Sequence, residues 1–469
     1  MEPLSFKKLA ANFSFLTGGE IFSKICTFAA FTYLARTLGP QQFGYLEFAL
    51  AIMVFLSLFV DFGSSPYGAR EIALNPESLP HHLTKVISLR ILLALLAVLV
   101  VFCGVPFLPQ QYSSISKLLT ILSLSLLGIP FFLNWVFQGL DRMKWVAIGS
   151  IVRQLTFASL VFFYFRKTTP LWHIGLLELL AVSSVIIYYW GIYSRYVAPP
   201  KIKFQFFSVL TTIKHTAPIG LSEIGWASMW YSATIMLGLI VGGEEVGWFG
   251  VAHRTVMAIH AFVWLYFYNL LPSISRCKKH PEQTLQSLMA NSFLITSWSS
   301  LFFAVLATVF AGQLMSLLYG VKFIPAAPIF LVLAWMIPIS LLSGHYRYTL
   351  IAYKFQKYEF FSTLVAALLA IILGLLLIPN YGALGAALAL ILAKIVNFIL
   401  AYIYVQRHIA AIPLLPYLYK PFVGLVVFFS IYLLLFNFNS ILGITLASVS
   451  FLGSLIALEW RQIMKKTTF

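Results

Sequence analysis

The sequence predicts an all-α integral membrane protein with about fourteen transmembrane helices: two pseudo-repeated six-helix lobes around a central cavity, plus a C-terminal helix pair. Three observations carry that prediction. The chain has 469 residues, of which 61% are hydrophobic and 10% charged, and a mean hydropathy of +0.92. A soluble domain needs more polar surface than that to cover itself. The apolar stretches are each about 20–25 residues long, enough to cross roughly 30 Å of hydrocarbon as helices. Residues 20–49 also align without a gap onto residues 223–252, at a constant offset of 203. Glu20-Ile21 falls on Glu223-Ile224, and Gly39 and Gly44 fall on Gly242 and Gly247. Ala30, Leu34 and Ala49 fall on identical residues as well. Internal duplication is the usual architecture of alternating-access transporters, whose substrate sits between the halves.

The elements follow in order. The first span, 13–35, comes after Lys7-Lys8 as a signal peptide would. Glu20 and Lys24 interrupt its apolar run and no small-x-small cleavage site stands out, so it is read as uncleaved. Gly39-Pro40 turns the chain into the second span, 42–66, which carries Glu47 and Asp61. Spans at 84–107, 115–138, 145–166 and 171–193 complete the first lobe, with Pro130 marking a kink in the fourth. Tyr196 to Lys214, with Pro199-Pro200, Lys201 and Lys203, reads as an interfacial linker, so the lobe boundary lies near residue 200. The second lobe, 201–410, holds spans at 211–240, 247–273, 288–312, 325–351, 358–378 and 383–405. Gly18-Gly19 and Ala217-Pro218 are helix-weakening sites at matching points of the repeat. Pro325, Pro328 and Pro338 mark further kinks, and Gly382 to Ala387 is a small-residue packing surface. A last pair, 417–437 and 440–459 within 411–469, lies outside the duplicated part. A twelve-helix count is the competing reading.

Orientation follows from the loops. On the side shared by both termini fall twenty Lys and Arg, against six on the other, so both termini are expected in the cytoplasm. The formal net charge of +17 is mostly this bias, which also meets anionic lipid headgroups. No basic domain stands outside the membrane, so nucleic acid is not an expected partner. Cys26, Cys103 and Cys277 have no metal or redox spacing, and no metal site is expected. Loops of about 20 residues or fewer, no phosphate-binding P-loop and no G-x-S-x-G argue against an enzyme.

What remains is the ionisable residues inside the spans. Each costs at least about 2.5–3.5 kcal/mol at a helix centre in lipid, so each needs a partner or a wet cavity. Glu20 and Lys24 stand at the i,i+4 spacing of an intrahelical pair. Glu47 and Asp61, fourteen residues apart, share a face of the second span. Asp61 is placed to brace the turn after it, through Arg70, and Arg90 and Arg347 are expected to snorkel to their helix ends. Glu178 reads as structural. His253, Arg254, His260 and Asn269 make the eighth span unusually polar. Arg153, Arg254 and Lys394 are deep cations with no acid on their own helix turn, and they are read as cavity-lining. The polar stripes fall on the first, second, seventh and eighth spans, which are the repeated pairs.

Several runs together resemble a family. They are Leu34-Ala35-Arg36-Thr37-Leu38-Gly39-Pro40 with Phe43-Gly44-Tyr45, Asp61-Phe62-Gly63 with Arg70-Glu71, and Trp135-Val136-Phe137-Gln138-Gly139. Leu318-Tyr319-Gly320 and Tyr381-Gly382-Ala383-Leu384-Gly385 follow in order. They resemble the O-antigen and exopolysaccharide flippases, the Wzx-like branch of the multidrug/oligosaccharidyl-lipid/polysaccharide exporter superfamily. The resemblance covers roughly 10–405. It implies a V-shaped pair of six-helix lobes in a bacterial inner membrane and a polyprenyl-diphosphate-linked oligosaccharide as cargo. A polysaccharide polymerase and chain-length machinery are partners it raises, besides membrane lipids. With that cargo, Arg36, Arg254, Arg153 and Lys394, then Lys24, are the expected diphosphate ligands. Glu20, Asp61 and Glu223 are the candidate carboxylates for coupling to H⁺ or Na⁺, or for gating, and no other cofactor is expected. A flippase for a lipid-linked peptidoglycan precursor and a cation-coupled multidrug exporter of the same fold stay open. The excess of deep cations argues against the exporter.

Overall fold

A computed structural model describes residues 6–107, 113–197, 204–277, 282–436 and 440–467. Among them every regular element is a helix. Ten helical segments are long and apolar enough to cross a membrane. Two of these are hairpins run together: α1 (Phe6–Asp61) breaks at Gly39 (φ 75°, ψ 174°), and α14 (Gln356–His408) breaks at Gly382 (φ 53°, ψ −132°). Counting each hairpin twice and adding α8 (Phe206–Ile240) and α16 (Ser440–Thr467) brings the rods to the predicted fourteen. Both breaks are glycines in backbone regions that a Cβ disfavours, and at the first Pro40 withholds an amide from the ladder.

Proline and glycine set the other irregularities. Between α2 (Ser64–Leu74) and α3 (Leu79–Gly104), Pro76 opens a single 3₁₀ turn. The fourth span is not one rod: α4 (Ser113–Leu124) tightens into a 3₁₀ stretch over Ser125–Phe131 containing Pro130, then α5 (Asn134–Gly139) follows. α6 (Met143–Tyr164) and α7 (His173–Tyr196) are regular. After α9 (Gly243–Cys277), α10 (Glu282–Val309) and α11 (Ala311–Tyr319), another 3₁₀ stretch holds Pro325. α12 (Ala327–Ala334) and α13 (Met336–Ala352) carry Pro328 and Pro338 in their first turns, where a missing amide has no intrahelical partner to lose. By contrast α1 runs helical through Gly18-Gly19, and α8 through Pro218. Of the expected linker, Pro199-Pro200, Lys201 and Lys203 lie outside the described residues.

The chain packs as two compact units. One comprises Met1–Arg254, Met315–Ala326 and Ala370–Ala389, and the other Thr255–Leu314, Ala327–Leu369 and Leu390–Phe469. In the first, α1 packs on α6 and α8, and a core of Leu83, Val86, Ile87, Trp135, Phe137 and Tyr189 joins α3, α5 and α7. In the second, α10 packs on α13 and on α15 (Leu415–Phe436), and α15 packs on α16. Trp298 of α10, Phe428 of α15 and Phe451 of α16 share one apolar cluster, and a Lys420–Glu459 ion pair of 2.8 Å ties α15 to α16. The faces left outward are apolar, such as Leu368, Ile372, Leu375 and Leu376 on α14, as lipid contact requires.

Candidate functional site

The repeat seen in the sequence is a physical symmetry of the first unit. Gly39 and its mate Gly242 both sit at φ +75°. A Cβ on Gly44 would strike the Gly243 carbonyl and come within 2.8 Å of Gly247 N, and one on Gly247 would strike the Pro40 carbonyl. Pro40 is the mate of Gly243, and Gly44 of Gly247. So Pro40 meets Gly247 while Gly243 meets Gly44. Reciprocal contacts of this kind are what a two-fold axis produces. Along the same hairpins the next mates, Glu47 and Gly250, also touch. Near the other end of the α1–α2 segment, Gly63 (φ +73°) lies against Gly220, whose N is 2.6 Å from where a Gly63 Cβ would stand. Backbone meets backbone at both places, so side chains between them are held at short range.

Between those two contacts lies an ion pair across the repeat: Arg254 Nε on α9 donates to the Glu47 carboxylate on α1. Glu47 is buried, at 7% exposure, while about a quarter of the Arg254 side chain (24%) stays open. The guanidinium lies 3.6 Å from the centre of the Phe31 ring, a cation–π contact that fixes its plane. Next to it, His253 is buried and stacked on Phe249 (5.6 Å, 11°), and its Nε2 has no hydrogen-bond partner among the described residues. On α9 alone Arg254 has no acid within a turn; the acid comes from the repeated hairpin.

The other sequence-predicted residues fall in several places. Arg153 on α6 pairs with Glu178 on α7, and its buried Nε has no partner among the described residues. Thr27 on α1 donates to Gln154 at 2.9 Å, which draws α1 onto the same face of α6. Arg36 is exposed at the α1 turn and caps the C-terminal carbonyls of α11, donating from Nε to Leu318 O at 2.7 Å and also to Leu317 O. Glu245 does the converse job, accepting from Ala383 N–H at 2.7 Å where the second rod of α14 begins. Glu20 is half-buried and Lys24 exposed, and no ion pair joins them among the described residues. Lys394, in the second unit, is buried at 1% exposure one turn from Asn397, which donates to Ser362 (3.4 Å) and Thr363 (3.5 Å).

Two expectations about arginines are corrected. Arg90 does not snorkel: it is fully buried and pairs with Asp61, donating to Ser64 Oγ at 2.7 Å, Ser65 Oγ at 2.6 Å and Phe132 O at 3.3 Å. Asp61 therefore braces its turn through Arg90, while Arg70 pairs with its neighbour Glu71. Half-buried Glu223 lies within electrostatic reach of both Asp61 and Arg90. Arg347, near the end of α13 and partly open, pairs with Glu359 in the first turn of α14, which also accepts from Thr363 at 3.2 Å. Snorkelling needs a wet route at the helix end; at Arg90 that route is closed by α2 and the 3₁₀ stretch packed on α3.

With this geometry in place, comparison with known proteins decides the family. Residues 9–278, more than half of the chain, match the family model described as "Polysaccharide biosynthesis protein". The chain belongs to that family. The "Putative O-antigen transporter" of Escherichia coli (strain K12) is 22% identical over 411 residues, covering 86% of this chain and 98% of the relative. The "Probable low-salt glycan biosynthesis flippase Agl15" of Haloferax volcanii is 22% identical over 398 residues, covering 83% and 82%. Among solved structures, "Lipid II flippase MurJ, inward closed conformation" superposes with a TM-score of 0.77 at 18% identity, over 96% of this chain and 99% of that one. At that identity the likeness establishes the fold.

Proposed function

We propose that this protein is a flippase, a transporter and not an enzyme. It moves a polyprenyl-diphosphate-linked oligosaccharide from the cytoplasmic to the outer leaflet of an inner membrane by alternating access, with both termini in the cytoplasm. Family membership with O-antigen and glycan transporters as relatives supports the cargo class. The observation that carries the mechanism is Arg254, partly open beside the two-fold axis of the repeat. A diphosphate cannot cross hydrocarbon with its hydration, and a guanidinium on a fixed aromatic face replaces that hydration with charge-assisted bonds. The prenyl tail stays in lipid. Arg153 and Arg36 are further ligands in this reading. Glu20 and Glu223, repeat mates that make no ion pair among the described residues, are the carboxylates for coupling to H⁺ or Na⁺.

The test is headgroup accessibility in reconstituted liposomes, with a polyprenyl-diphosphate oligosaccharide scored on each leaflet. Protein-dependent translocation lost in Arg254→Ala is the expected result. Efflux of small cationic dyes with no sugar-lipid movement would refute the cargo. Translocation of peptidoglycan precursor alone would move the protein to that neighbouring class.

A further inference from the structure

We propose that Glu47 is a built-in occupant of a diphosphate site: in the substrate-free protein its carboxylate holds the Arg254 guanidinium, and an incoming diphosphate displaces it. The inference rests on the reading of Arg254 as a diphosphate ligand. It goes further in assigning Glu47 the part of a competing internal anion that sets affinity and release.

The contrast between two ion pairs in the same unit carries this. Arg90 is wholly buried and saturated, with Asp61, Ser64, Ser65 and the Phe132 carbonyl as acceptors. That is a structural pair, closed to any further anion. Arg254 has one acceptor among the described residues, Glu47 on Nε, and about a quarter of its side chain (24%) remains open. Its two terminal nitrogens, the ones that grip a planar anion two-point, carry no hydrogen bond among those residues. The ring of Phe31 at 3.6 Å holds the guanidinium plane in place whichever anion is present.

The carboxylate also has a cradle. A Cβ on Gly250 would fall on Glu47 Cγ and lie 3.0 Å from its Cδ, so the acid lies flat against helix backbone that only glycine leaves clear. Buried at 7% exposure, Glu47 has Arg254 as its ion-pair partner among the described residues. When a diphosphate takes the guanidinium, the carboxylate is left beside it with like charge. That repulsion weakens binding and drives release once the site opens. Replacing the charge therefore tightens binding and slows turnover.

The experiment uses inorganic pyrophosphate and the purified full chain in detergent, with affinity read by calorimetry, so that it does not depend on transport. Glu47→Gln keeps the shape and removes the charge, and should bind pyrophosphate about tenfold tighter or more than wild type, within the usual range for coupled sites. Arg254→Gln should abolish binding in both backgrounds. Gly250→Ala, whose new methyl pushes the carboxylate off Arg254, should shift affinity the same way and carries the test if Glu47→Gln aggregates. Equal or weaker binding in Glu47→Gln and Gly250→Ala than in wild type, or no pyrophosphate binding in wild type or either of these variants, overturns the proposal. An unmasked pyrophosphate site in a protein that moves no sugar-lipid would sink the cargo assignment and leave the exchange standing.

Discussion

The Arg90–Asp61 pair allows a sharp stability prediction, because its geometry fixes what each substitution leaves behind. Arg90→Met removes the cation and strands Asp61 with only Ser65 as donor among the described residues, through Oγ at 2.8 Å and N at 3.3 Å. Asp61→Asn leaves Arg90 charged at zero exposure, with two hydroxyls and a carbonyl but no carboxylate. Breaking one side of a buried pair costs about 3–5 kcal/mol, whereas replacing both sides by well-packed neutral groups is often near neutral. Each single variant should therefore lose about 3–5 kcal/mol, and Arg90→Met/Asp61→Asn no more than one of them, a coupling of about 3 kcal/mol or more. The assay is unfolding in mixed detergent micelles followed by circular dichroism, run as a double-mutant cycle. Additive losses, with the double variant near the sum of the singles, would refute the pairing and return Arg90 to the helix end.

The remaining predictions concern the repeat axis and the first-unit cations. Gly247→Ala drives a methyl into the Pro40 carbonyl and should destabilise by about 1–3 kcal/mol on the same assay, as overpacking does; an unchanged midpoint would mean the hairpins do not meet there. Gly39→Ala places a Cβ at φ +75° and should cost at least about 1–2 kcal/mol, and Gly242→Ala the same, since both sit at the same φ. For Arg153, expression and liposome translocation are compared in Arg153→Ala, Glu178→Ala and the double variant. Transport restored in the double variant would show that Arg153 serves only to neutralise Glu178, and transport lost in both arginine variants would keep it as a ligand.

Much of the architecture was legible because membrane helices announce themselves by length and because glycine and proline mark where they bend. Gly39 and Pro130 interrupt rods where expected, and the break at Gly382, a residue read as packing surface, falls between the spans expected at 358–378 and 383–405. The repeat was legible too, but what it does was not. Periodicity assigns residues to a face of one helix and is silent on how that helix is rotated against the next. Hence Glu47 and Asp61, placed on one face, answer to different arginines, on α9 and α3. Arg153 and Arg254 looked unpaired for the same reason: their acids are on other helices. This pairing neutralises two of the three deep cations, Arg153 and Arg254, that spoke against a cationic-drug exporter, and that argument now leans on family membership. Gly250 is the missed signal that could have been found. At an offset of 203 it stands where Glu47 stands in the first copy, and a glycine opposite a buried glutamate predicts contact between mates.

Symmetry explains why the site itself is not duplicated. A residue that touches its own mate across a two-fold axis cannot be charged in both copies, since two carboxylates in contact cannot both ionise. The chain obeys this at each point: Glu47 faces Gly250, and the position equivalent to Arg254 is Ala51. A faithful copy would place two glutamates and two arginines in a space that holds one pair against one ring. The glycine at 250 is thus as much a part of the site as the ion pair, because it gives the Glu47 carboxylate room and leaves a single anion position beside the axis. One position suits a cargo with one diphosphate. It also means that restoring the symmetry, with Gly250→Glu, should close the site: the second carboxylate has no space against Glu47 and no second arginine to meet. Pyrophosphate binding and sugar-lipid translocation should both be lost in that variant. Retention of both would show that the axis does not pass where the reciprocal Pro40–Gly247 and Gly44–Gly243 contacts put it.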